Sequence, residues 1–110
     1  MNAHQCHLAV FYTCLAGGDF QASLPGKGVE CVVGADDVDL YNGGISITWF
    51  QTFWQVLKCP YYTVQQALNS AREEVRTQHP NPPPDATAYW NTDWISATEP
   101  DHKVVKARYE

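Results

Sequence analysis

The sequence predicts an α/β domain: a small, mainly parallel sheet, at least two helices packed on it, and a C-terminal strand or hairpin. Three observations carry this prediction. Two stretches, L-A-V-F-Y-T at 8–13 and V-E-C-V-V-G-A at 29–35, are apolar on both faces, as strands covered by helices are. Two later segments, about 46–58 and 63–78, switch to helical spacing. The 110 residues suffice for one core, so residues 1–110 read as a single domain.

The first strand, residues 7–14, delivers Cys14 to a glycine pair, Gly17-Gly18. The following L-A-G-G-D-F-Q-A-S-L-P-G-K-G is rich in glycine and proline and predicts a loop with at most one turn of helix. Its L-P-G-K-G resembles a fragment of a phosphate loop, but it precedes a strand instead of opening a helix, and so reads as a turn. In the second strand, residues 29–37, Val29, Cys31 and Val33 share one face while Val32 and Gly34 take the other. An acidic loop, D-D-V-D-L-Y-N-G-G, follows.

Ile47, Phe50, Phe53, Trp54 and Leu57 then recur at helical spacing, and Pro60 stops that helix. Trp49 and Trp54 read as core. Thr63 opens the next helix as N-cap, and Gln66 three residues on completes a capping box. Val64, Ala67, Leu68, Ala71 and Val75 form its buried stripe, with Arg72, Glu73, Glu74 and Arg76 on the solvated side. Four prolines in Q-H-P-N-P-P-P-D-A-T-A-Y-W impose an extended crossing. Two strand candidates close the chain, D-W-I-S-A-T at 93–98 and K-V-V-K-A-R-Y-E at 103–110, with the turn E-P-D-H between them.

Composition narrows the function classes. With 45% hydrophobic and 17% charged residues the chain is a globule, not a disordered segment. A net charge of -5 without a basic cluster argues against nucleic acid or an anionic membrane surface as partner. M-N-A-H-Q-C-H lacks the basic and apolar regions of a secretory leader, and no apolar run approaches the roughly 20 residues of a membrane helix. A cytoplasmic location is therefore expected, with Cys6, Cys14, Cys31 and Cys59 reduced. The cysteines form no paired C-x-x-C, and His4, Cys6 and His7 crowd one terminus, so neither a metal nor a cofactor is expected. No G-x-G-x-x-G, Walker loop, nucleophile elbow or H-E-x-x-H occurs.

Taken in order, F-Y-T-C-L-A-G-G, G-V-E-C-V-V-G-A-D-D, F-Q-T-F-W-Q-V-L and Y-T-V-Q-Q-A-L-N-S-A-R-E resemble the C-terminal half of the caspase-like (caspase–hemoglobinase) fold, including its CHAT branch. The likeness covers roughly residues 7–75. It implies that Cys14 matches the nucleophile, that Gly17 lies near the oxyanion turn, and that Asp36 and Asp37 begin the pocket wall. The family's catalytic histidine, however, precedes the cysteine on a neighbouring strand, and only thirteen residues precede Cys14. His4 and His7 lie at or before the start of the Cys14 strand, and a seven-residue strand spans roughly 20 Å, so His7 cannot reach the thiol. His79 and His102 match nothing in the motif. Without a base the thiol keeps a pKa near about 8.5 and is a poor nucleophile.

The resulting expectation is a non-enzymatic caspase-like half-domain that binds a ligand or partner. Two alternatives stand beside it. One is a cysteine hydrolase with Cys14 as nucleophile and a histidine from another chain. The other is a stand-alone accessory or mobile-gene protein with a small-ligand site at its strand ends. Gly17, Gly18, Asp36 and Asp37 are the expected ligand contacts, since open α/β sheets bind at the carboxyl ends of their strands. Leu8 to Gly18 contains no charge before Asp19 to protect a strand edge, which suggests a homodimer through Val10 and Phe11 or through the aromatic segment 89–95. Trp90 and Trp94, in irregular chain after the prolines, are the expected interface rings.

Overall fold

A computed structural model describes residues 7–12, 17–35, 40, 43–84 and 89–104. The elements run β1 (Leu8–Val10), α1 (Gly17–Ser23), β2 (Cys31–Ala35), α2 (Gly44–Leu57), α3 (Val64–Gln78) and β3 (Ile95–Ala97). Their sheet has the order β1-β2-β3. β1 lies parallel to β2, with Val10 opposite Val33, whereas β3 is antiparallel, with Ile95 opposite Ala35. The sheet is thus mixed where the sequence predicts a mainly parallel one. The reason is the helix count between strands. α1 alone joins β1 to β2, and a single helical crossover gives a parallel pair. Between β2 and β3 the two helices form an antiparallel hairpin, which returns the chain to the end it left.

All five residues of β2 are buried, while β1 is half-buried and lies on the outside of the three strands. Cys31, Val33 and Ala35 pack with α2 and α3, and Leu8 and Val10 join that cluster from β1. The opposite face is covered by α1, where Phe20 stacks on Phe11 at 4.1 Å and the Gln21 amide donates to the Val32 carbonyl at 3.4 Å. The seven-residue α1 corrects the loop expected at 15–28. Gly17 and Gly18 open this helix, and a 3-10 turn at Pro25–Lys27 follows it, ended by Gly28 at φ 95°.

α2 starts two residues earlier than the spacing predicts. Its N-cap, Gly43, holds φ 80° and ψ -140°, a conformation open to glycine and strained for other residues. The next residue, Gly44, is also closely approached, since a Cβ there would stand 3.0 Å from the His79 ring and press on it. Ile45, Thr48, Trp49, Phe53 and Leu57 are buried, but Ile47 is 58% exposed and Trp54 41%. The expected apolar face is therefore corrected at Ile47 and Trp54. This helix is apolar on most of its circumference, and only one side meets the sheet.

α3 follows its prediction closely. The Thr63 hydroxyl accepts from the Gln66 amide at 3.2 Å, and the Gln66 side chain accepts from the Thr63 amide at 2.8 Å. Two more first-turn amides find partners in the E-P-D-H turn: Val64 donates to the His102 carbonyl at 2.8 Å and Gln65 to that of Pro100 at 3.0 Å. β3 occupies the centre of the predicted 93–98 strand. Residues 105–110 of the second candidate lie outside the described residues. Among the described residues, no helix is long and apolar enough to cross a membrane.

Candidate functional site

The expected sites separate. Cys14, Asp36 and Asp37 lie outside the described residues. Gly17 and Gly18 form the first turn of α1. Val10 and Phe11 already have partners within the chain: Val10 packs on the core, and the Phe11 amide donates to the Val33 carbonyl at 2.8 Å. Trp90 and Trp94 do come together, in a groove that the end of α3 completes.

That groove is built by the hairpin that makes the sheet mixed. Because α3 runs back toward the carboxyl end of β2, its last turns face the segment entering β3. Arg72 fastens the junction by donating to the Ile95 carbonyl at 2.6 Å. One turn later Arg76 lies over the Trp90 ring, 4.0 Å from its centroid, and donates to the Asp93 carboxylate. Trp90 is held from its other end, since its indole N–H donates to the His79 carbonyl at 3.0 Å. Thr48 steadies His79 in turn, with its hydroxyl 3.0 Å from the imidazole Nε2. The Asp93 amide closes a turn on the Trp90 carbonyl at 3.0 Å, and buried Thr92 anchors this turn to the core.

The result is a cavity of about 290 Å³ lined by Arg76, Pro82, Tyr89, Trp90, Asp93 and Trp94. This is near the lower limit of small-molecule pockets, roughly 300 Å³. A second cavity of about 460 Å³ continues from it along α3 past Asn69, Arg72 and Glu73, sharing Arg76 and Asp93 with the first. Together they form one groove with an aromatic end and a polar end. Its lining carries two arginines and two carboxylates, so its formal charge balances. Trp94 is 66% exposed, and its indole N–H has no partner among the described residues.

Other polar sites offer less chemistry. The Thr48 hydroxyl, although beside an imidazole, is buried between α2 and α3 and works as a helix clasp. Cys31 sits fully buried; burial pushes its thiol above the ordinary value, and the nearby Glu99 carboxylate adds to this against the lowering by hydrogen bonds with Glu99 and Thr98. A cleft of about 420 Å³ lies between His7, Glu30, His102 and Lys103, with His7 Nδ1 3.0 Å from the Glu30 carboxylate. Among the described residues, no group of three histidine, cysteine or acidic side chains is arranged to hold a metal ion.

Sequence reasoning finds Trp90 and Trp94, reaches Tyr89 and Asp93 only as members of the 89–95 segment, and misses Arg76 and Pro82. Arg76 reads as surface charge because its helical position is solvated. The signal that could have found the site is Trp90, Asp93 and Trp94 within five residues, directly after a proline run. Comparison of the chain with known protein families, curated proteins and solved structures finds no match.

Proposed function

We propose that this chain is a non-catalytic binding domain, of caspase-like half-domain descent, whose ligand or partner engages the groove between the end of α3 and residues 89–94. Trp94 carries this reading. A tryptophan two-thirds exposed leaves a large apolar ring and an unused donor in water, beside a second ring already fixed under a guanidinium. Fixed rings and a fixed charge pair lower the ordering cost of binding. The descent rests on the sequence resemblance over roughly residues 7–75.

The test maps the surface with small aromatic and aliphatic fragments on the ¹⁵N-labelled chain. The reading predicts that the Trp94 indole N–H and the amides of 89–94 shift first. Shifts centred instead on the exposed Ile47 and Trp54 face of α2 would overturn it.

A further inference from the structure

We infer that the groove binds a proline-rich peptide in the polyproline II conformation, a proposal that rests on the groove being the binding site. Three observations converge on this ligand. First, the groove wall already includes a proline: exposed Pro82, from the H-P-N-P-P-P run, lines the aromatic end together with Trp90 and Trp94. A ligand proline lying on Trp90 and Trp94 would continue this apolar wall. Second, the groove is elongated, with its polar end running along α3, as an extended chain requires.

Third, the aromatic end of the groove presents hydrogen-bond donors. The Trp94 indole N–H is unengaged, and Asp93 takes only one of Arg76's guanidinium nitrogens among the described residues. A polyproline II strand offers the complement: its carbonyls have no internal partners, and its prolines have no N–H. Aromatic-lined grooves recognise such ligands because the preformed helix loses little entropy on binding. A saccharide would draw instead on the Glu73 and Asp93 carboxylates at the polar end as acceptors. Its balanced formal charge also suits a ligand recognised by ring contact and carbonyl acceptance rather than by net charge.

The experiment titrates decaproline into the ¹⁵N-labelled full chain and follows the indole and backbone N–H signals, with a glycine-serine decapeptide and cellohexaose as comparators. Decaproline should move the Trp94 indole signal saturably and the 89–94 amides with it, while the glycine-serine peptide leaves both in place. Trp94→Ala should weaken binding by about tenfold or more. Trp94→Phe, which keeps a ring and loses the donor, should fall between that variant and the wild type. A Trp94 signal unmoved by decaproline, or moved equally by the glycine-serine peptide, overturns the proposal. Movement by cellohexaose alone reassigns the ligand to a saccharide and leaves the binding groove standing. Fragments that also avoid the groove would remove the binding reading itself.

Discussion

Trp49 and Trp94 show the two uses this chain makes of the same side chain. Trp49 is fully buried, stacked on Phe53 at 4.8 Å and edge-on to Phe50 at 5.1 Å, and its indole N–H has no partner among the described residues. Trp94 is 66% exposed at the mouth of a groove, and its N–H has no partner among the described residues. At Trp49, area burial outweighs the cost of a lost hydrogen bond, so the residue serves stability. At Trp94 most of the area stays in water and the donor has no partner among the described residues, so the residue is available to a ligand. The core and the groove share the α2–α3 hairpin, but they draw on different sides of it. If this division is right, substitutions in the two regions must separate stability from binding.

The largest expected effect is in the core. Trp49→Ala should cost about 3–5 kcal/mol, the range for a buried tryptophan replaced by alanine. Against a total stability of about 5–15 kcal/mol for a domain of this kind, such a loss brings the fold near its limit. Urea unfolding followed by circular dichroism would show it as a midpoint lowered far below wild type; a small shift would mean that the Trp49 cluster is not the structural centre. Next comes the start of α3. Thr63→Ala removes half of the capping box and should cost about 1 kcal/mol in the same assay. It should leave decaproline binding intact, since Thr63 lies at the far end of α3 from Arg76.

The smallest effect is one of pH. The folded chain holds Cys31 neutral to higher pH than the unfolded chain, whose thiol ionises near its ordinary value of 9.0. The stability linked to this thiol is therefore complete below pH 9.0 and is lost as pH rises toward the folded value. Unfolding of wild type and Cys31→Ala at pH 7 and pH 10 isolates the contribution from tyrosines and lysines. Wild type should lose more stability between the two than the variant does. Alkylation gives a companion readout: half-exposed Cys59 should react in the folded chain, whereas Cys31 should react only on unfolding.

What the sequence discloses follows the range of the forces involved. α3 is legible almost to the residue because its capping box and buried stripe are local features. β2 is legible because burial on both faces leaves an uninterrupted apolar run. α1 is not, because Gly17, Gly18 and Pro25 carry poor helix propensity, which the packing of Phe20 on Phe11 overrides. The wrong face at Ile47 and Trp54 has another origin. When nearly every side of a helix is apolar, period alone cannot tell which side the sheet will take. Half of the groove is legible in Trp90 and Trp94. Arg76 is not, because its partner Asp93 stands seventeen residues away and meets it only after the crossing has folded back.

The division between core and groove is tested most directly by Trp94→Ala, measured twice on one sample: unfolding free energy from urea melts, and decaproline binding from the backbone amides of 89–93. A residue that serves only the ligand should leave the unfolding free energy within about 0.5 kcal/mol of wild type, as exposed substitutions do, while binding weakens tenfold or more. Retained binding, or a loss of binding that comes with a core-sized loss of stability, would contradict the account.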